Sequence, residues 1–158
     1  MYKKIIFIAI VLFAMAGCEK AFDPGATKSV KISNEWWVDY YVNGVDQFKP
    51  VKLVTYNTAA NNDSIWIDDY GTFWDYKVRV KADLTNLTFA EANAQNVSYN
   101  SKVKITEGKI MLKAAKSPTG LVTDSIYFKV AFDDDTTPFG TTYEVKGYAR
   151  TGWAEDDH

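Results

Sequence analysis

Cysteine and histidine, the two side chains that most often carry out protein chemistry, each occur once in this chain, as Cys18 and His158. One cysteine cannot close an intrachain disulfide or build a zinc cluster, and one histidine cannot supply a His-rich metal centre. His158 is the last residue, where chains fray, so Ser–His–Asp and Cys–His arrangements lack a placed base. Catalysis here would have to use carboxylates, Lys, Tyr or hydroxyls. No spacing among these marks a nucleophile, so neither a catalytic residue nor a cofactor is expected. Asp133-Asp134-Asp135 and Glu155-Asp156-Asp157 offer oxygen ligands of the kind calcium takes. Neither follows a D-x-D-x-D-G loop, and both read as solvated charge at turns and ends, so no metal is expected. Asp124 is in phase with Val122, Ile126, Phe128, Val130 and Phe132. On an inward face it would be a desolvated acid or pocket anchor. At a strand mouth it would cap the Ser117–Gly120 loop.

Cys18 has its own context. Lys3 and Lys4 precede an apolar run from Ile5 to Ala16, about 12 residues against the ~20 a spanning helix needs. That is the layout of a secretory leader. Met15-Ala16-Gly17-Cys18 resembles a bacterial lipobox with Met15 where Leu is usual. The resemblance implies a diacylglyceryl thioether on Cys18, cleavage before it, and acylation of the new N-terminus. The alternative is an ordinary leader followed by a coincidental cysteine. Acyl chains of the palmitate class contribute roughly 0.8 kcal/mol per buried methylene, so two or three hold a protein on a bilayer where one would not. Glu19 follows the cysteine, whereas inner-membrane retention by resemblance uses Asp there. The expected place is therefore the bacterial cell envelope, lipid-anchored at the outer membrane.

Loss of residues 1–17 leaves about 140 residues, enough for one domain with its own core. Lys3 and Lys4 leave with the leader, so the remainder is more acidic than the whole chain's net −2. That balance, with no basic stripe among the aromatics, argues against a nucleic-acid partner. Residues 18–33 are polar, contain Pro24-Gly25 and lack a period, which predicts a flexible tether. From Asn34 to Trp153 alternation dominates, and 154–158 read as an acidic tail. Phe73 to Leu84 predicts one long half-buried strand, with Trp74, Tyr76, Val78, Val80 and Ala82 on its apolar face. Val103 to Ile105 and Ile110 to Ala114 predict a hairpin turning at Glu107-Gly108. Further strands are expected at Glu35–Val42, Val51–Thr58, Ser64–Asp68, Val122–Phe132 and Thr142–Ala149, with a weaker one near Gln95–Tyr99. Phe89–Asn96 suggests a short helical turn.

About eight long strands joined by short turns close as a sandwich or as an up-and-down barrel, and full closure removes exposed edges. Trp36-Trp37 open the first strand and Arg150 ends the last. This resembles lipocalin-like barrels, in which a first-strand Trp packs beneath a last-strand Arg and closes one end by a cation–π contact. The alternative is a solvated Arg150. The stretches NEWWVDYYVNG, TYNTAANNDSIWIDD, FWDYKVRVKAD, GKIMLKAAKSPTGLVTDSIYFKV and GYARTGWAEDD are similar to those of bacterial lipoproteins described as lipid-binding putative hydrolases. The resemblance implies an all-β, antiparallel, lipocalin-like barrel of about eight strands and a lipid or other small apolar ligand. It carries over no catalytic motif.

In such a barrel Trp66, Trp74, Tyr76, Asp124 and Phe128 are the candidates to shape a ligand pocket. The same aromatics could instead fill a solid core, as side chains do in small barrels. Three functions stay open at this point. The first is an anchored barrel that binds an apolar ligand. The second is a surface lipoprotein that binds glycan or protein without a cavity, through Trp37, Tyr41 and Trp66. The third is a carboxylate-based hydrolase. Protein partners are unknown.

Overall fold

Alternation along the chain becomes nine antiparallel strands in a computed structural model, which describes residues 25–158. The segment expected to be a leader, Cys18 and the first part of the expected tether lie outside the described residues. The strands are β1 (Asn34–Val42), β2 (Val45–Asp46), β3 (Val51–Asn57), β4 (Ser64–Asp68), β5 (Lys77–Asp83), β6 (Thr88–Gln95), β7 (Lys102–Lys116), β8 (Val122–Phe132) and β9 (Tyr143–Ala149). The two-residue β2 only folds back on β1. The other eight pair in chain order, and β9 returns to β1 with Trp36 opposite Ala149 and Val38 opposite Gly147. The result is a closed, up-and-down antiparallel barrel of eight strands with no open edge.

Period-two alternation puts one residue set inside. Val78, Val80 and Ala82 of β5 are buried, while Arg79, Lys81 and Asp83 are exposed. Ile65 and Ile67 of β4 point in, with Trp66 on the opposite face. Large inward residues meet small ones where the barrel closes. A Cβ on Gly147 would lie 2.2 Å from the Trp37 carbonyl oxygen, so β9 approaches β1 only because that side chain is absent. Among the described residues, no buried side-chain nitrogen or oxygen lacks a hydrogen-bond partner.

Four local readings change, the smallest being that the weaker strand expected near Gln95–Tyr99 does not extend past Gln95, where β6 ends. Glu107-Gly108 does not reverse the chain: β7 runs through it for 15 residues. Thr106 pairs with Lys129 and Lys109 with Tyr127, so Glu107 and Gly108 oppose Phe128 alone. This is a β-bulge, with Glu107 at φ 55°. A bulge and a turn both shift the inward phase by one residue, which is why the alternation reads equally well as a hairpin. Past Ile110 the pattern ends, and Leu112 is 49% exposed. Phe89–Asn96, suggested as a helical turn, lies mostly in strand β6, because pairing with β7 overrides its Ala-rich composition. Phe73 to Tyr76 do not join β5; they belong to the preceding loop.

Candidate ligand site

The interior holds side chains rather than free space. Tyr40, Leu53, Ile65, Ile67, Tyr76, Val78, Ile105, Ile126, Phe128, Val130 and Phe132 have no accessible surface at all. A chamber large enough for water would leave their inner faces accessible. Phe128, expected to shape a pocket, instead packs in this core beside Phe89, with ring centroids 5.8 Å apart. Gly108 makes room for that ring, since a Cβ there would lie 2.3 Å from Phe89 Cδ2.

One end of the barrel is stopped by aromatics on a loop. Between β4 and β5 the Asp69 carboxylate, fully buried, accepts hydrogen bonds from four backbone amides. Its Oδ1 takes those of Gly71 (2.9 Å) and Tyr76 (2.8 Å), and its Oδ2 those of Phe73 (3.2 Å) and Trp74 (2.9 Å). Tyr70, Gly71 and Asp75 take positive φ values of 54°, 69° and 52°, which lets the loop curl around that carboxylate. The curl lays Phe73 on Tyr40, stacked at 3.8 Å, and Trp74 on Phe132, stacked at 4.6 Å. Tyr143 and Phe48 meet Phe73 edge-on at 5.1 and 6.0 Å. Trp74 Nε1 donates to Asp134 Oδ1 (3.1 Å) and the Tyr99 hydroxyl donates to Asp134 Oδ2 (2.5 Å), so one carboxylate ties three loops together. Below the stopper the Tyr40 and Tyr76 hydroxyls share a hydrogen bond of 3.0 Å. Burial pushes both phenols well above the usual tyrosine pKa, so they stay neutral donors and acceptors.

The other end is closed from outside the strands. Ile32, in the turn before β1, is fully buried. Thr55 Oγ1 donates to the Ile32 carbonyl (2.5 Å) and accepts from Trp36 Nε1 (2.9 Å). Among the described residues Arg150 meets no ring, so the expected cation–π contact with Trp36 is replaced by carboxylate partners. Its guanidinium donates from Nε to Asp157 Oδ1 (2.7 Å) and from Nη1 to Glu35 Oε2 (2.9 Å). His158 packs edge-on against Trp37 at 5.3 Å, with Nε2 2.7 Å from the Tyr148 hydroxyl. The acidic tail is thus a clasp. Asp156, fully buried, accepts from the Thr119 amide and from the hydroxyls of Thr119 and Thr151. Asp156 therefore holds the Ser117–Gly120 loop. Asp124 caps a second irregularity of β7 by accepting from the Lys113 amide at 2.7 Å.

The clasp carries a pH dependence. The Arg150 hydrogen bond holds the Asp157 pKa down, from 3.8 to about 2. A carboxylate depressed on folding adds stability that is complete above its unfolded value and is lost as pH falls through the folded one. The tail is therefore expected to stay docked at pH 5 and to open between about pH 4 and pH 2. The Trp37 indole N–H, which donates to Asp157 Oδ1 at 3.3 Å, reports this by NMR. Asp157→Asn should remove the step, and an indole signal unmoved across that window would contradict the clasp.

Trp66, the remaining candidate, lies outside the barrel. It forms a cross-strand row with Tyr56 and Arg79, and the Lys77 ammonium sits 5.9 Å from its ring centroid. Beside it the wall loosens. Lys81 pairs with Ala90 and Val78 bridges Asn96, so Arg79 and Val80 face the five β6 residues 91–95. The resulting groove, about 690 Å³, is lined by Trp66, Arg79, Lys81, Glu91, Asn93 and Gln95 among others.

Sequence reasoning finds Tyr76, Trp74 and Phe128 but not their separate places, misses Asp69 and Phe73, and reads Asp134 and Asp156 as solvated charge where they accept hydrogen bonds that tie loops together. Asp68-Asp69 just before Tyr70-Gly71 was the available signal for the loop, since an Asp before Gly commonly accepts from nearby amides.

Closure, a filled core and a stopper carried on a loop define a small up-and-down β-barrel protein. A family model described as lipid-binding putative hydrolase matches residues 21–154, and the chain belongs to that family. Among curated proteins none matches it.

Proposed function

We propose that this protein is a membrane-anchored lipoprotein, held at the outer membrane of the bacterial envelope through lipidated Cys18, whose barrel binds a lipid or other small apolar ligand. The observation that carries the reading is the origin of Phe73 and Trp74. They close the barrel end from a loop, whereas Tyr40 and Phe132, on which they stack, are fixed by strands, and Tyr76 sits at the loop's base beside β5. Swinging that loop out would expose Tyr40, Tyr76 and Phe132, an apolar mouth with two neutral hydroxyls to meet a polar head group. Family membership supports the class of ligand. The anchor would hold this mouth where lipid is plentiful.

The test is titration of the purified protein with palmitate and with phospholipid vesicles, following tryptophan emission and the melting curve. A ligand of the folded state stabilises it by about 2.7 kcal/mol at a hundredfold excess over Kd. Phe73→Ala is expected to bind more tightly, because opening the mouth then breaks fewer contacts. If neither lipid shifts the melting curve of either protein, the lipid reading fails. In cell fractionation the Cys18→Ser variant should leave the membrane; retention after a high-salt wash would refute the anchor.

A further inference from the structure

We propose that the groove between β5 and β6 binds an acidic oligosaccharide, a role separate from the lipid reading and not resting on it. Arg79 and Lys81 both project outward because Val78, Val80 and Ala82 project inward. None of the ion pairs found among the described residues includes either of them; lysines 52, 77, 129 and 146 and Arg150 are the paired cations. Two unpaired cations on one wall repel each other, and a bound carboxylate offsets that repulsion. Arg79 supplies the planar fork that holds a carboxylate by two parallel hydrogen bonds.

The rest of the lining selects a sugar over a lipid chain or a simple anion. Trp66 offers an indole face, on which the C–H face of a pyranose ring packs. The Lys77 ammonium, 5.9 Å from the ring centroid, helps to fix the ring's orientation, and Tyr56 lies opposite Trp66 on the neighbouring strand. Across the groove the Glu91 carboxylate presents acceptors and the Asn93 amide presents a donor and an acceptor, while Gln95 lines the wall with its own amide donating to the Asn96 and Ser101 carbonyls. Sugar hydroxyls donate and accept at once, so they use both. Among the described residues the Glu91 side chain joins none of the ion pairs and no side-chain hydrogen bond, which leaves its oxygens open to hydroxyl donors. An acyl chain would find Val80, Ala94 and Val97 as apolar contacts beside Trp66, and the first two are almost fully buried. The volume of about 690 Å³ lies inside the range of roughly 300–1,000 Å³ typical of small-ligand sites. The groove exists because β6 carries more residues than β5 across this span, so the site is built by the strand irregularity itself.

The probe is tetragalacturonate, with maltotetraose as the neutral counterpart, titrated into the purified full chain by calorimetry. Binding of the acidic tetramer is expected to exceed that of the neutral one by about tenfold, the scale of one charged hydrogen-bonded contact. Trp66→Ala and Arg79→Gln should each weaken it by at least about tenfold, while Trp153→Ala, an exposed tryptophan elsewhere, should leave it unchanged. All three side chains lie outside the core, and unchanged melting temperatures would confirm that folding is intact. No binding at millimolar tetragalacturonate, equal binding of both tetramers, or full binding by the Trp66→Ala variant would each overturn the proposal. None of these results bears on palmitate binding at the Phe73–Trp74 end.

Discussion

Val78→Asp is expected to leave too little stability for the barrel to fold. Val78 has no accessible surface, and it pairs with Ile67 across the strands in the middle of the core. An aspartate there is either charged and unpaired or protonated at a large cost. Burying an uncompensated charge destabilises by about 3–5 kcal/mol or more, against a total stability of about 5–15 kcal/mol for domains of this kind. Arg79→Asp, one residue on, places the same carboxylate on the outer face and should cost under about 0.5 kcal/mol. Urea denaturation followed by circular dichroism compares the two. Equal loss in both variants would mean that the faces of β5 are reversed.

Asp69→Ala has the second largest expected effect, and its cause is different. No packing void dominates; four backbone amides lose their shared acceptor. The Tyr76 amide is buried, and each orphaned buried donor costs about 1–3 kcal/mol. Water reaches the outer part of the loop and reduces the sum, so a net loss of about 3 kcal/mol is expected. For a domain of this size that lowers Tm by roughly 10 °C. The aromatic stopper should loosen as well, because the same hydrogen bonds position Phe73 and Trp74. Near-ultraviolet dichroism from the Trp74–Phe132 stack should therefore drop more than the far-ultraviolet strand signal. Asp69→Asn keeps one acceptor oxygen and should fall between the two. A melting temperature unchanged in Asp69→Ala would show that the loop is held by its aromatic contacts alone.

Fold class and most strand positions were legible because burial in a small barrel writes itself as period-two alternation. Ser64–Asp68 and Val122–Phe132 match the observed strands residue for residue. Loop aromatics were not so legible. Trp74 and Tyr76 are two residues apart and read as one strand face, yet Asp75 at φ 52° breaks the strand between them. Tyr76 ends in the core and Trp74 over its mouth. Side-chain type alone carries no record of such a dihedral.

What the sequence by itself determined is the all-β class, the inward face of most strands, and a chemistry limited to one histidine and one cysteine. These follow from composition and from nearest-neighbour geometry along one chain. Tertiary structure alone decided three other things: that Glu107-Gly108 bulges instead of turning, that Phe73 and Trp74 close one end, and that β5 and β6 part beside Trp66. The first and third depend on the register between neighbouring strands, and the second on the loop that curls around Asp69. Thr106 and Lys109 take their meaning from Lys129 and Tyr127, and Arg79 from residues 91–95. A bulge and a turn share one local signature; only the partner strand, by supplying or withholding hydrogen bonds, selects between them.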